Sequence, residues 1–592
     1  MHQGLRLSRF WLAVVLVAFC LPLFVGLGRA DLETDEAIYS FAVDRILEIG
    51  DWLAPRSSPS ETEVFLEKPP LKFWIVAAPI KAGLLPHNEF GLRFWDALLG
   101  GAAFLYVFAI GTLLAGPVCG GVAVLLLFVH NPLLFQHGLR SNSMEGPLVA
   151  CYCGGVFHFL RWAVIDDDTR RRRQTMFAAL WFVLGFMTKF VAALFLPFTL
   201  GLAALAAPRL RARLWHDRAA WLKAAGLVLL LCAPWFVYAQ GRFGWLLWET
   251  ILGEHVLRRM TSFIDPTHVH PWNWYFTQMW FEFSLDRTQW LMAAGFVTLL
   301  VQTIRRRSLV GSVVLLWAIV PMAIISAGSS KLYHYAYPFL PPFALAAGYL
   351  IALLMTLAPS LVRRCLAWVE DALAQRVPAV AGLLQGAVGR RVAGLLVLVA
   401  AALVAATVVE GPMRFHVAGV LVKTSGVTRP LALMLVAAVL ARMSARVATL
   451  TVALFVFALM PVDAYRRQLD LLPNGKHPMR TTAECVQQVQ ATSGRQPGLF
   501  INAPELRHPH YYYFRRVQPV ERATRVDDLP IERDVLAGNA PRPMLLDDRL
   551  WKQWRDDHGR PSPPMALFLD SVVLLPGPYA ACSSEAVLRT TP

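Results

Sequence analysis

Apolar residues in this chain come in long runs, not in alternation. Stretches of about 18 or more, the length that crosses a bilayer, recur along the sequence and are divided by short polar segments. The first, Phe10 to Gly28, follows the short basic opening Met1 to Arg9. A signal peptide opens the same way. This run is long enough to span, however, and no small-residue cleavage site follows it, which predicts an uncleaved first helix with a cytoplasmic amino terminus. Further spans are predicted near 92–114, 118–137, 144–162, 175–188, 190–207, 219–238, 290–304, 309–327, 336–357, 392–410, 428–441 and 446–460, thirteen with the first. An odd number sends the carboxy-terminal region to the side opposite the amino terminus.

Three polar segments are too long to be turns, and loops of such length are usually functional. Residues 29–91 form a net acidic loop with helix-like stretches at 35–49 and 70–84, and 239–289 form a second loop rich in Trp and His. The tail 461–592 alternates short apolar strands (Gly498 to Ile501, Met544 to Leu546, Ala566 to Leu569) with polar turns, the pattern of a small α/β domain. The predicted architecture is mainly α: a polytopic membrane domain, 1–460, carrying the outer loops 29–91 and 239–289, followed by an outer domain, 461–592.

Composition agrees. Over 592 residues, 56% are hydrophobic and 16% charged, which excludes a soluble enzyme and a disordered chain. The net charge of +16 raises nucleic acid as a partner. Its distribution argues against that, because the arginines fall in short clusters between apolar runs: Arg170 to Arg173, Arg209 to Arg218, Arg305 to Arg307, Arg363 and Arg364, Arg390 and Arg391, Arg442 and Arg446. This is the pattern of cytoplasmic loops, and the thirteen-span count puts every cluster on that side. Six cysteines lie in or beside apolar helices, leaving Cys485 and Cys582 alone in the outer tail. In an oxidising compartment the two are expected to form a disulfide.

The candidate chemistry lies at the outer membrane boundary. Asp35 and Glu36 open the helix-like stretch of the first loop. They either complement the helix dipole as an acidic first turn or supply a general base. In Glu67-Lys68-Pro69-Pro70, the prolines suit a helix start. Lys68 can meet an anionic phosphate there or snorkel to head groups, and Glu67 beside it can take a divalent cation. His255 stands three and four residues before Arg258 and Arg259, on one face of an α-helix. Such a face either binds phosphate or forms the basic edge of an interfacial helix. Arg140, Glu145, Lys189 and Lys331 stand at the outer ends of spans, where charges are anchors unless they converge on one cavity. Neither a Gly-rich nucleotide loop nor an HExxH motif is present, so no nucleotide cofactor is expected.

These pieces, in this order, resemble the GT-C lipid-linked-sugar glycosyltransferases that include the protein O-mannosyltransferases, and above all the bacterial aminoarabinose transferases that modify lipid A. The resemblance rests on Thr34-Asp35-Glu36-Ala37, Gly50 through Arg56, Glu67 through Trp74, Phe186 through Lys189, Trp248 through Arg258, and Lys331-Leu332-Tyr333-His334-Tyr335. It implies transfer of a sugar from a polyprenyl monophosphate to a hydroxyl or phosphate acceptor, such as lipid A, another glycan or a protein, with inversion. It further implies a bacterial inner membrane location with the active site facing the periplasm. Asp35 would be the base and Glu36 its support. Lys68, Arg258, Lys189 and Lys331 would meet the donor phosphate, and Arg56, Arg140, Glu145, Tyr333 and Tyr335 would line the substrate cavity. Glu67 and His255 would match a divalent metal pair, zinc or magnesium. One departure concerns the sugar pocket: the family's Asp-Met-Pro is here Met144-Glu145-Gly146-Pro147. A lipid flippase would share the many spans, but it would be expected to show repeated halves and ionisable groups near the bilayer midplane.

Overall fold

The computed structural model describes residues 8–56, 64–263, 265–376 and 386–410 continuously, and beyond them 413–417, 420–424, 428–440, 461–475, 478–493 and short segments as far as 583. The described chain is mainly helical. Five described helices are long and apolar enough to cross a membrane: Glu89–Ala115, Glu145–Val164, Asp168–Ala206, Arg218–Phe243 and Leu309–Ala327. A sixth span is the bent pair Tyr333–Phe339 with Pro341–Leu357, which turns by 51°. The thirteen predicted spans therefore reduce to five or six that meet the test among the described residues.

The differences have physical causes. The first helix changes hydrogen-bond pattern twice, running as α over Arg9–Val15, π over Leu16–Cys20 and 3-10 over Leu21–Phe24. Pro117–Val129 is too short to span alone, and a second short helix, Asn131–Phe135, follows it. The predicted spans 175–188 and 190–207 fall within Asp168–Ala206, which kinks at Lys189 (φ −138°, ψ 55°), the residue at which the prediction divides them. Arg391–Val404 is a shorter apolar helix, and Thr428–Leu440 is a helix of 13 residues. The span at 446–460 lies outside the described residues. A hairpin of Met413–Val417 with Val420–Thr424 is an element that the apolar pattern did not announce.

The transmembrane helices pack through small residues, as membrane helices do in the absence of a hydrophobic drive. A Cβ on Gly111 would lie 2.4 Å from the Gly120 Cα, so Glu89–Ala115 and Pro117–Val129 touch backbone to backbone there.

The first outer loop forms two helices. Thr34–Ile49 begins with a capping box, in which Glu36 Oε2 accepts from the Glu33 amide (2.9 Å), and ends at Gly50 in the left-handed conformation, φ +75°. Leu71–Lys81 follows Pro69 and Pro70. The described strands of the tail form a five-stranded mixed sheet. Phe500–Asn502 pairs parallel with Glu521–Arg522 and Met544–Asp547, and Ser571–Leu574 pairs antiparallel with Met544–Asp547 and Met565–Leu567. Cys485 and Cys582 are bonded, Cα to Cα 5.7 Å. Tyr513, Phe514, Val486 and Val573 share one buried cluster with Ala37, Val43 and Ile46, so the tail packs directly on the helix that begins with Asp35.

A candidate active site beneath the outer loops

Four separate parts of the chain meet around a cavity of about 300 Å³. The approach to Leu71–Lys81 contributes Glu67 and Lys68, and the break in Asp168–Ala206 contributes Lys189 through Ala192. The second outer loop contributes Ile251, His255, Arg259 and Met260, and the bent span contributes Tyr335, Pro338 and Phe339. The remaining wall is largely apolar, with Leu148, Phe195, Ile324 and Ile325 among its residues.

The polar groups sit together on one side. Glu67 lies 3.3 Å from the His255 ring and 3.7 Å from Lys68 Nζ. Burial alone would raise the Glu67 carboxyl, but the His255 hydrogen bond, Lys68 and Arg259 outweigh it and hold it down at about 2. Burial pushes the Lys68 ammonium below its ordinary range, against the pull of Glu67. Lys189 bonds to Glu145, and its Nζ lies 4.8 Å from the centre of the Tyr335 ring. Arg259 donates to the Tyr335 hydroxyl. Three cations therefore stand against the two carboxylates Glu67 and Glu145, a surplus suited to an anion.

Several predicted site residues lie elsewhere or are already committed. Glu36 is buried and accepts from Arg93 Nε and Nη2 at 2.7 and 2.6 Å and from the Asn142 amide at 2.6 Å. With the cap bond both its oxygens are occupied, and the carboxylate expected to support Asp35 faces Arg93 and the Asn142 amide instead. Arg258 is exposed and donates to the Phe263 carbonyl at 3.0 Å. Lys331 is buried and donates to the carbonyls of His270 (2.8 Å) and Gly328, which leaves it structural. Arg140 ties the carbonyls of Val25 and Leu472. Tyr333 bonds to His130 at 2.9 Å, and Arg56 is half-buried. None of Glu36, Arg56, Arg140, Arg258, Lys331 or Tyr333 lines the cavity.

Arg259 takes the place expected of Arg258, for a structural reason. Glu249–Arg258 is a π-helix, in which each turn holds more residues than in an α-helix. The residue four after His255 then lies over it, and the residue three after is turned outward. The sequence carries both arginines but no mark of the wider turn. Asp35 stands outside the cavity wall, half-exposed, with Oδ2 3.4 Å from His137 Nδ1. Sequence reasoning gave no role to His137 or His334. Their rings are 4.7 Å apart, and His334 Nε2 is 3.6 Å from Glu145 Oε1.

Glu67 and His255 are a carboxylate and an imidazole of the kind that binds divalent metals. Among the described residues no group of three or more His, Cys, Asp or Glu side chains gathers around a metal position. The pair fits a metal only if substrate oxygens complete its coordination.

The chain is similar to known proteins in part of its sequence and in its fold. Residues 67–238 match the family model of dolichyl-phosphate-mannose-protein mannosyltransferases. The whole chain shares its fold with ArnT from Cupriavidus metallidurans, solved bound to undecaprenyl phosphate: TM-score 0.58, 17% identity, 95% of this chain and 97% of that one. It also matches the archaeal oligosaccharyltransferase AglB from Archaeoglobus fulgidus, at TM-score 0.51 and 12% identity over 98% of this chain and 78% of that one. The likeness to these two solved structures shows the fold that the chain shares with them.

Its sequence is similar to the undecaprenyl phosphate-α-4-amino-4-deoxy-L-arabinose arabinosyl transferases of Pseudomonas fluorescens. One, from strain Pf0-1, is 27% identical over 53% of this chain and 52% of its own length. Another, from strain Pf-5, is 28% identical over 58% of this chain and 60% of its own. In these matches the chain spans little more than half the length of the relatives.

Proposed function

We propose that this chain is an inverting glycosyltransferase that moves a sugar from an undecaprenyl or other polyprenyl monophosphate to an acceptor at the periplasmic face of a bacterial inner membrane. The first candidate reaction is transfer of 4-amino-4-deoxy-L-arabinose to lipid A. The observation that carries the reading is the gathering of Lys68, Lys189 and Arg259 on one side of a cavity whose other walls are apolar. A phosphate with an isoprenoid tail has that same division of charge and grease.

The chemistry follows from the placement. Asp35, exposed beside the site, accepts the proton of the acceptor hydroxyl as its oxygen attacks the anomeric carbon. The bond to the donor phosphate breaks on the far side, and the departing phosphate gathers negative charge. Lys68 and Arg259, already in place in the cavity, favour the added charge of the departing phosphate over the singly charged diester of the ground state. Lys189 is shared with Glu145 and orients it toward the sugar. Glu67 and His255 would hold a divalent ion, whose contribution would be further stabilisation of phosphate charge.

Glu145 supports a second reading of the sugar. It stands where the resembling family has Asp, and Lys189 and His334 hold its longer arm. A different sugar, such as galacturonic acid, galactosamine or a hexose including mannose, passed to lipid A, lipopolysaccharide core or protein, is the alternative that this substitution favours.

Mass spectrometry of lipid A from cells with and without the gene separates these readings. Addition of one aminopentose that depends on the gene is the expected result. Gene-dependent addition of a uronic acid or hexose would replace the sugar and keep the reaction. Loss of the modification with the lipid-linked sugar held on the cytoplasmic side, rather than accumulating on the periplasmic side, would favour a flippase instead.

A further inference from the structure

The short turn after Asn131–Phe135 holds His137 at φ +52°, a left-handed backbone that glycine or asparagine adopts at less cost. The turn is tightly closed. The Leu139 amide donates to the Leu133 carbonyl (2.8 Å), the Arg140 amide to that of Leu134 (3.0 Å), and Ser143 Oγ to that of His137 itself (2.9 Å). Gly138 allows the closure, since a Cβ there would lie 1.9 Å from the Leu133 oxygen. A histidine fixed in this way has its ring held in one place, and that place is 3.4 Å from Asp35.

We propose that His137 is a positioning residue for Asp35 that also receives its proton after each transfer. The inference rests on the glycosyltransferase reading above. As the acceptor oxygen bonds to the anomeric carbon, the acceptor proton moves to Asp35 and the breaking bond's electron pair leaves with the polyprenyl phosphate. Asp35 then passes the proton to His137 Nδ1, and the ring releases it to water from its partly exposed edge. The surroundings suit a transient imidazolium. Asp35 and Glu33 face it from the start of Thr34–Ile49, and Glu145 lies beyond the neighbouring His334 ring, so three carboxylates lie near two imidazoles. Without His137, Asp35 loses the partner that orients its carboxylate toward the acceptor and must release its proton directly to water.

The test uses the full purified chain, a polyprenyl-phosphate sugar and lipid A. His137→Gly and His137→Asn both suit a positive φ, so neither is expected to lower the melting temperature. Both should lower kcat by about 10², the small end of the range for a proton-transfer group, with the donor KM unchanged. Added imidazole should restore turnover to His137→Gly, which a purely structural role would not allow. Combined with Asp35→Asn, His137→Gly should cause no additional loss. Wild-type kcat in both variants, or a loss in His137→Gly that imidazole leaves untouched, would overturn the proposal while leaving the transferase intact. A wild-type chain inactive with every polyprenyl-phosphate sugar would remove the functional reading itself, and this inference with it.

Discussion

Arg258 and Arg259 are chemically identical neighbours, and the path of the backbone alone separates them. Arg259 lies on the cavity wall and reaches the Tyr335 hydroxyl, whereas Arg258 is spent on the Phe263 carbonyl in solvent. Arg259→Ala should therefore cost on the order of 10²–10³ in kcat/KM, the usual loss for one pre-placed donor to developing charge. Arg258→Ala should stay near wild type, and steady-state kinetics on the two variants side by side decide the matter. Glu36 makes the opposite case: an acidic residue beside the candidate base whose carboxylate faces inward to Arg93. Glu36→Gln leaves a buried guanidinium without its counter-charge, a loss of roughly 3–5 kcal/mol when one partner of a buried pair is removed. The variant should lose folded protein on thermal melting. A Glu36→Gln chain that melts like wild type but transfers no sugar would return Glu36 to catalysis.

At the scale of elements, the decisive features are departures from regularity. Lys189 reaches Glu145 and the cavity because Asp168–Ala206 breaks at that residue. The π-helical Glu249–Arg258 turns His255 and Arg259 to the same wall. Hydrophobic periodicity gives the course of a helix but carries no signal for a widened turn, so the apolar runs, both outer-loop helices and the division at 189 between the predicted spans 175–188 and 190–207 could be read from sequence, and the π-helical turn could not. Glu67, Lys68 and His255, which line the cavity, could be singled out because charged residues at a membrane boundary are costly and hence few. Lys331 and Arg140 looked the same in sequence, yet each satisfies backbone carbonyls, a use that only the folded chain reveals. His137 gave no warning, since its role depends on a closed turn that brings it beside a residue about a hundred positions earlier.

The junction of the tail with the first outer loop carries its own pH dependence. Asp31 accepts from the Met479 and Arg480 amides at 2.8 and 3.3 Å. Burial, reinforced by Glu89, nevertheless raises its carboxyl from 3.8 to about 6, against those bonds and the Arg480 charge. The folded state then binds this proton more tightly than the unfolded chain does. Its stabilising contribution is complete below 3.8 and is lost as pH rises through about 6. Asp31→Asn removes the buried charge, so the variant should melt above wild type at about pH 8 and together with it at about pH 4. A constant difference at both values would contradict this account of the junction.

Across the whole molecule, the described part of the tail packs on the helix that carries the candidate base. The Tyr513 hydroxyl accepts from the Leu32 amide and donates to Glu89, each at 2.9 Å, so the tail braces the start of Thr34–Ile49 from above. In the proposed reaction Asp35 serves the acceptor, and Lys68 with Arg259 serves the donor phosphate. That division is the central claim, and one measurement tests it most directly. Donor affinity and sugar transfer should be measured separately on the purified chain and on Asp35→Asn and Lys68→Ala, with a polyprenyl-phosphate sugar and lipid A. Asp35→Asn should bind donor like wild type and lose about 10²–10⁴ in turnover, while Lys68→Ala should lose donor affinity and turnover together. Wild-type turnover by Asp35→Asn, or undiminished donor binding by Lys68→Ala, would contradict it.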